Sequence, residues 1–274
     1  MKADLHTHTI ESDGKLTQEA LFKKAKAKGV DVLAITDHDV CARVEKNRAL
    51  AKTHDMTYIP GIELSTLKDG KSVHLLGYFR DDSYQAEPMQ AYYTYIREGR
   101  ENRAKRFIEN LKRFYDISIT YEQVVSHSDG IIARPHIARA IMDAYPYTHD
   151  EIFDRFLGEH AKAYVPSTEL STEEGIRLLR RFDIVISLAH PGLISDKVRE
   201  EVLEYDYDAI EAVYPLHTDA DEVRFKAFAE SRGQFITAGS DYHGIDDDSS
   251  HGELGSTPLE GEALERFLAA MRLK

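Results

Sequence analysis

Five short apolar runs of the 274-residue sequence each end in histidines or carboxylates, and this recurrence limits the fold more than composition does. In chain order, the polar residues at the ends of these runs are residues 3–14, Asp37 with His38, Glu63, His190, and Asp241 with His243. In an α/β barrel, side chains at the carboxyl ends of the strands converge on one face, where the active sites of such barrels are found. The sequence therefore predicts one site assembled from both ends of the chain.

Up to about residue 80 the chain alternates strand-like and helix-like segments, which is typical of an α/β fold. Residues 30–36 and 56–59 have the pattern of strands, and residues 40–54 have that of a helix. A hairpin turn precedes a further strand at residues 73–79. Because His74 lies near the beginning of that strand rather than its end, we expect the strand to run in the opposite direction.

Between residues 81 and 165 the pattern changes to long polar helical stretches without a strong apolar strand. Thr120 and Thr148 begin Thr-x-x-Gln and Thr-x-x-Glu boxes, which cap the first turn of a helix. We therefore predict a barrel domain built from residues 1–80 and 166–274, with residues 81–165 as a helical insertion that caps one end. The alternative is that these helices are an ordinary part of the same domain.

The net charge of −13, from 48 acidic and 35 basic residues, argues against a protein that binds nucleic acid through a basic surface. It is compatible with a phosphorylated substrate, because bound metal ions reverse the local field of an acidic pocket. The single cysteine, Cys41, excludes an internal disulfide, and there is neither an apolar signal segment nor a run of membrane length. We expect a cytoplasmic protein without a membrane partner or an obligate protein partner.

The spacing of the histidines indicates a metal site. His6 and His8 are two residues apart in a strand, so both imidazoles point to the same side. Asp241 and His243 repeat this arrangement near the other end of the chain. Nine candidate donors follow from these patterns, and they are His6, His8, Asp13, His38, Glu63, His74, His136, Asp241 and His243. They exceed the needs of one ion, so we predict two or three divalent ions, of manganese, zinc or iron.

The combination of motifs resembles the PHP (polymerase and histidinol phosphatase) family along nearly the whole chain. The motifs are Asp4-Leu5-His6-Thr7-His8, Ile35-Thr36-Asp37-His38-Asp39, Gly61-Ile62-Glu63, Arg134-Pro135-His136, Ala189-His190-Pro191-Gly192 and Gly239-Ser240-Asp241-Tyr242-His243. The insertion resembles that of the branch with nucleoside bisphosphate phosphatases and 5′-3′ exoribonucleases. The resemblance implies a distorted seven-stranded (β/α)7 barrel and a trinuclear metal site.

The resemblance also implies how the donors divide among the ions. The first ion would be held by His6, His8, Glu63 and Asp241. The second would be held by Glu63, His74 and His136, and the third by Asp13, His38 and His243. The segment Val40-Cys41-Ala42 departs from the family, whose members usually carry Thr and a nearby Gly there, and this difference concerns the substrate pocket.

These features predict a metal-dependent phosphoesterase that hydrolyses a phosphomonoester of a small metabolite through a metal-activated hydroxide. The expected substrate is a nucleotide, either a nucleoside monophosphate or a 3′,5′-bisphosphate. Arg134 is the first candidate for a phosphate clamp, because guanidinium matches phosphate oxygens bidentately. His190 is a candidate to protonate the leaving oxygen or to hold a phosphate oxygen, and His217 and Lys162 are further candidates for substrate binding.

Other functions are compatible with the sequence. A 5′-3′ exonuclease on short RNA or DNA oligonucleotides and a histidinol phosphatase would use the same metal site. An amidohydrolase or deaminase also has His-x-His on a barrel, but the additional donors Asp13, His38 and His243 count against it. A non-enzymatic metal-bound domain is the remaining alternative. The exact phosphoester, the metal and the oligomeric state are left open by the sequence.

Overall fold

Eight strands form one mixed sheet in the computed structural model, which describes residues 1–128, 132–166, 170–246 and 248–273. The strands are β1 (Lys2–Asp4), β2 (Val32–Ile35), β3 (Thr57–Lys68), β4 (Lys71–Phe79), β5 (Ile184–Leu188), β6 (Ala209–Val213), β7 (Phe235–Ala238) and β8 (Leu259–Glu260). Their order across the sheet is β7-β6-β5-β4-β3-β2-β1-β8. The predicted strand at residues 56–59 is too short, since β3 continues to Lys68 as β4 folds back along it.

The sheet closes because the chain beyond β1 pairs with the chain beyond β7. The Leu5 N–H donates to the Ala238 carbonyl at 3.1 Å, and the His8 N–H donates to the Tyr242 carbonyl at 3.0 Å. Strands β1 to β7 therefore form a seven-stranded ring, and β8 pairs antiparallel with the beginning of β1. The predicted α/β barrel is confirmed, with one additional short strand.

Strand β4 is antiparallel to both of its neighbours, β3 and β5, whereas the other pairs in the ring are parallel. The reversal expected from the position of His74 is confirmed. A two-residue turn, Asp69 and Gly70, joins β3 to β4, with φ angles of 49° and 74°. Positive φ at both central residues is the geometry that favours tight hairpins. The reversal brings His74 to the same end of the barrel as the ends of the parallel strands.

Ten α-helices accompany the strands within the described residues. They are α1 (Gln18–Ala27), α2 (Val44–Thr53), α3 (Glu87–Tyr115), α4 (Tyr121–Val125), α5 (Arg134–Ala144), α6 (His149–Ile152), α7 (Thr172–Leu179), α8 (Asp196–Leu203), α9 (Asp219–Ser231) and α10 (Gly261–Ala270). The predicted start of α2 at residue 40 is wrong, because Arg43 has a left-handed φ of 55° that prevents an earlier helical turn. Within the described parts of the chain, no helix has the length and apolar character needed to cross a membrane.

Helices α3 to α6 have an apolar core of their own, which includes Phe107, Leu111, Ile137 and Phe156. The predicted capping boxes at Thr120 and Thr148 are confirmed, with reciprocal side-chain and backbone hydrogen bonds. The division of the chain into a barrel and an insertion stays a prediction.

Helix α10 covers one end of the barrel. Its Phe267 packs edge-to-face on Tyr78 at 5.2 Å between ring centroids, inside the barrel core. Arg80, just after β4, donates through Nε to the Ala270 carbonyl at 2.7 Å. Since β4 finishes where α10 lies, the carboxyl ends of the parallel strands are at the opposite end of the barrel, where the polar clusters meet.

Candidate metal centre

A buried carboxylate, that of Asp4, joins segments near the two ends of the chain by hydrogen bonds. Asp4 accepts hydrogen bonds from the Ser240 N–H at 2.9 Å, the Ser240 hydroxyl at 2.6 Å and the Gly255 N–H at 2.7 Å. Gly239 allows this approach, because a Cβ at that position would lie 2.3 Å from the Cβ of His6. The histidines after β1 therefore face the residues after β7.

A second buried carboxylate shapes the turn that carries Asp13. Asp37 accepts hydrogen bonds of 2.7 Å from the Thr9 N–H, the Thr9 hydroxyl and the Ser12 hydroxyl. Burial raises the pKa of Asp37, and these hydrogen bonds and the neighbouring His8 oppose the rise. The result is a fixed turn that directs Asp13 towards the end of the barrel.

Glu63, in the middle of β3, lies at the centre of the site. Three imidazole nitrogens lie 3.1–3.3 Å from its Oε2, those of His6, His8 and His38. Two more lie 2.8 Å and 3.1 Å from its Oε1, those of His74 and His190. One buried carboxylate thus has five imidazoles, from four segments of the chain, around both of its oxygens.

Asp241 and Asp13 complete the ring of donors. Asp241 Oδ1 is 3.2 Å from His6 Nε2 and 3.0 Å from His8 Nε2. Asp13 Oδ1 is 3.3 Å from His243 Nε2, and its Oδ2 is 3.8 Å from His38 Nε2. Carboxylates and imidazoles from the first 13 residues are therefore in contact with those of residues 241–243.

Potential ligand atoms within 4.8 Å of one another define four groups among the described residues. They are His6, His8, Glu63 and Asp241; His38, Glu63 and His74; His8, Asp13, His38 and His243; and Asp241, His243 and His251. Eight of the nine predicted donors fall in these groups, and His136 does not. Sequence reasoning missed His251, whose ring stacks on that of His243 at 4.0 Å between centroids.

The donor set fits divalent cations because several of its buried atoms lack a hydrogen-bond partner. They are His6 Nε2, His8 Nε2, Asp13 Oδ1, His38 Nδ1, Glu63 Oε2 and Asp241 Oδ1. A buried polar atom without a partner costs about 1–3 kcal/mol, and six at one place are unusual. Mixed imidazole and carboxylate ligands suit zinc, manganese or iron. These clusters are able to bind metal ions, and the number and identity of the ions stay predictions.

The protonation of the site is set by competing effects. Burial would raise the pKa of Glu63, but the imidazoles of His38, His6 and His74 lower it well below its usual value. Burial lowers the pKa of His38 to about 4, so its ring is neutral near pH 7 and offers a lone pair. Burial also disfavours charge on His8, yet Asp241 and Glu63 raise its pKa to about 10. Without an ion, a proton on His8 partly balances the carboxylates, and metal binding would release it.

Two further residues orient the donors. Glu211 is fully buried on β6 and accepts hydrogen bonds from His6 Nδ1 at 3.0 Å and from the His190 N–H at 2.8 Å. Tyr214 donates its hydroxyl hydrogen to Asp241 Oδ2 at 3.0 Å. Such partners fix the tautomer and orientation of metal ligands. Sequence analysis did not single out Glu211, although a carboxylate inside the apolar run of residues 209–213 was a signal.

His190 contacts Glu63, whereas the His136 ring is held by its own helix start. His190 Nε2 is 3.1 Å from Glu63 Oε1, and its ring centroid is 5.3 Å from that of His74. His136, buried on α5, accepts the Ala133 N–H at Nδ1 at 3.0 Å. The structure thus brings His190, rather than His136, to Glu63 and His74.

The predicted substrate residues are separated by the structure. Arg134 lines the cleft above the donors, with Nη1 donating to the Leu157 carbonyl at 3.4 Å. Lys162 is exposed and is not among the described residues that line the cleft. His217 has both ring nitrogens engaged, Nδ1 with the Ala212 carbonyl at 3.1 Å and Nε2 with the Gly192 N–H at 3.0 Å. It supports the turn after His190 and has no ring nitrogen left for a substrate.

The cleft between the donors and helices α3 and α5 has a volume of about 890 Å³, within the usual range of small-molecule sites. Its barrel side includes Asp13, His38, His74 and His243. Its other side includes four arginines, Arg100, Arg103, Arg134 and Arg139. An acidic protein therefore presents a row of cations opposite the candidate metal ligands, which is an arrangement suited to phosphate groups.

Comparison with known proteins places these features in a family. The PHP domain family model matches residues 4–146. The 5′-3′ exoribonuclease of Haemophilus influenzae is 30% identical over 191 residues, covering 69% of each chain. The 3′,5′-nucleoside bisphosphate phosphatase of Chromobacterium violaceum is 28% identical over 250 residues, covering 88% of this chain and 86% of the relative. A crystal structure from Bifidobacterium adolescentis, described as a metal-dependent phosphoesterase, matches with a TM-score of 0.85 at 26% identity, covering 98% and 96% of the two chains.

Proposed function

This chain belongs to the PHP domain family, and on that premise we propose that it is a metal-dependent phosphoesterase that hydrolyses phosphate esters of nucleotides. The observation that carries the proposal is the convergence of buried, unpartnered donor atoms around Glu63. The arginines on the facing side of the cleft support a phosphorylated substrate. The nucleotide is supported by relatives named as a nucleoside bisphosphate phosphatase and an exoribonuclease.

We assign the ligands from the contacts around the two Glu63 oxygens. The first ion is assigned to His6, His8, Glu63 and Asp241, and the third to Asp13, His38 and His243. For the second ion, with Glu63 and His74, we replace His136 by His190, because the His190 ring contacts Glu63 Oε1. We further propose that residues 81–165 cap the open end of the barrel and that the protein is cytoplasmic.

Divalent ions of this kind, when bound, supply a water of lowered pKa and positive charge opposite the phosphoryl oxygens. The protein's own contribution is to hold the substrate and keep the donors oriented. Glu211 and Tyr214 fix the rings and carboxylate that they contact. We propose that Arg134, which lines the cleft, clamps phosphate oxygens. Burial lowers the pKa of His136 to about 4, and its Nδ1 accepts the Ala133 N–H, so the neutral ring has its hydrogen on Nε2.

A second candidate function is 5′-3′ exonuclease activity on short oligonucleotides. The cleft is lined by two arginines of α3, Arg100 and Arg103, and two of α5, Arg134 and Arg139, and this number of cations favours a substrate with more than one phosphate. The same residues and ions would serve both reactions, so product analysis has to separate them.

The test is product release by purified protein that has been stripped of metal and then reconstituted with manganese, zinc or iron. Substrates are nucleoside monophosphates, 3′,5′-bisphosphates, 5′-phosphorylated dinucleotides and histidinol phosphate, with amides as a contrast. We expect metal-dependent release from nucleotides and a loss of about 1,000-fold or more with Asp241→Asn. Asp206→Asn, an exposed carboxylate far from the donors, is the matched control. Full activity in the metal-stripped preparation would contradict the proposal.

A further inference from the structure

Arg103, on α3, is a half-buried cation without a counter-ion among the described residues. Its guanidinium lies 5.3 Å above the Phe107 ring, and its Nε donates to the Val165 carbonyl at 2.8 Å. Its neighbour on the same helix, Arg100, is by contrast paired with Asp39. The outer edge of the Arg103 guanidinium therefore has donors that no described carboxylate uses.

The positive charge around Arg103 is concentrated. Arg134 and Arg139 line the same cleft, and neither forms an ion pair with a carboxylate in the described parts of the chain. Burial and the positive charges of Arg134 and Arg100 lower the pKa of Arg103 to about 9. Cations that repel one another at a partly desolvated site are stabilised most by a bound anion. The cluster thus has the physical character of an anion site.

Arg100 and Arg103 also line a second cavity, with a volume of about 260 Å³. Its other residues include Tyr95, Glu98, Asn102, Arg106, Val165 and Pro166. The Tyr95 side chain is 56% exposed, so its ring is available for stacking, and Asn102 offers an amide. A cation, a free aromatic ring and an amide side by side are what single-stranded nucleic acid sites use for phosphate and base.

We propose that Arg103 binds a second phosphate group of the substrate and that the second cavity receives the nucleoside attached to it. The inference rests on the proposed function and makes it more specific. The first phosphate would lie at the donors, the first nucleoside in the cleft, and the next phosphate at Arg103. The substrate class selected is then an oligonucleotide of two or more units, in preference to a mononucleotide.

The kinetic test compares a 5′-phosphorylated dinucleotide with the corresponding mononucleotide. Arg103→Gln is expected to lower kcat/KM for the dinucleotide about 10-fold or more beyond its effect on the mononucleotide, mainly through KM. Tyr95→Ala should act in the same direction, by about 5-fold. Arg113→Gln, on the same helix and outside both cavities, is the matched control. Equal losses for both substrates, or no loss, would overturn the inference.

A binding test separates this inference from the proposed function. Metal-stripped protein is titrated calorimetrically with the same dinucleotide, the mononucleotide and an acidic peptide of matched charge. Preference for the dinucleotide that disappears in Arg103→Gln supports the second site even if no catalysis is found. Equal affinity for dinucleotide and mononucleotide, or for dinucleotide and acidic peptide, overturns it. Circular dichroism and the variant Arg103→Lys, which keeps the charge, distinguish lost binding from lost folding.

Discussion

Three non-glycine residues at the metal centre have backbone angles in the left-handed region. Their φ values are 57° at Asp39, 27° at His190 and 53° at Asp241. Such angles cost about 1 kcal/mol or more and persist only where surrounding contacts hold them. The Glu211 carboxylate accepts the His190 N–H, and the Tyr214 hydroxyl holds Asp241. The strained backbone thus turns the His190 ring towards Glu63 and the Asp241 carboxylate towards His6 and His8, instead of letting the chain continue as a strand.

The position of His190 leads to a prediction about metal content. His190→Ala should lose about one equivalent of bound metal, because its Nε2 contacts the Glu63 oxygen shared with His74. His136→Ala should keep the full metal content, since His136 belongs to none of the donor groups of the described residues. Elemental analysis of the two variants after dialysis against manganese gives the answer. Loss of metal from His136→Ala but not from His190→Ala would show that His136, rather than His190, is a ligand of the second ion.

Glu211 should tune metal affinity although it contacts no ion. In Glu211→Gln, only one amide oxygen is available to accept hydrogen bonds from His6 Nδ1 and the His190 N–H. The second of these two donors would face the amide N–H of the glutamine side chain. Loss of such orienting partners lowers metal affinity about 10- to 100-fold. Titration with manganese measures the change, and Glu204→Gln, on the surface with Arg232, is the control. Unchanged affinity would mean that His6 is held by packing alone.

At the scale of single residues, the sequence predicts the candidate metal ligands better than the residues that orient them. His6, His8, Asp241 and His243 were identifiable because period-two spacing in extended chain determines which side they face. The choice between His190 and His136 depends on a left-handed turn after β5, which the residue types do not encode. Arg103 is not identifiable from the sequence, because its proposed role follows from how α3 packs beside the cleft.

At the scale of elements, α3 is tied to the loop that carries His38. Asp39 is fully buried and accepts hydrogen bonds from the Ser65 N–H at 2.7 Å and the Tyr92 hydroxyl at 3.3 Å. The Arg100 guanidinium forms an ion pair with the same carboxylate. Two side chains of α3 therefore hold the residue that follows His38, so this helix supports the candidate metal centre directly.

Loss of the contacts between Asp39 and α3 should lower the stability of the protein. Asp39→Asn leaves Arg100 facing an amide in a mostly buried place, which should lower the free energy of unfolding by about 3 kcal/mol. Asp82→Asn, in an exposed pair with Arg48, should change it by about 0.5 kcal/mol or less. Urea denaturation of both variants measures the difference. Similar small effects would show that α3 and the His38 loop are held together by apolar packing.

Element boundaries were predictable where the determinant is local. The boxes at Thr120 and Thr148 involve residues three apart, so the sequence identifies them. The length of β3 was not predictable, because it depends on pairing with β4 over residues 61–68. The start of α2 depends on the left-handed Arg43, a conformation that arginine rarely adopts.

At the scale of the whole molecule, the unpartnered donors couple metal binding to stability. An ion present at about 100 times its dissociation constant adds about 2.7 kcal/mol, which should raise Tm by about 5 °C relative to protein in chelator. Differential scanning calorimetry with and without manganese measures the shift. Asp241→Asn should reduce it, since that residue contributes to two of the four donor groups. An identical Tm in chelator would argue against an ion at these donors.

The pairing of the chain beyond β1 with the chain beyond β7 has a consequence for biosynthesis. The N–H groups of Leu5 and His8 donate to the carbonyls of Ala238 and Tyr242, more than 230 positions later. During translation the early histidines therefore leave the ribosome long before the carboxylate and imidazole that face them. Nascent chains would have an incomplete set of ligands throughout elongation, so the donor groups that contain Asp241 or His243 are complete only after residue 243 has emerged.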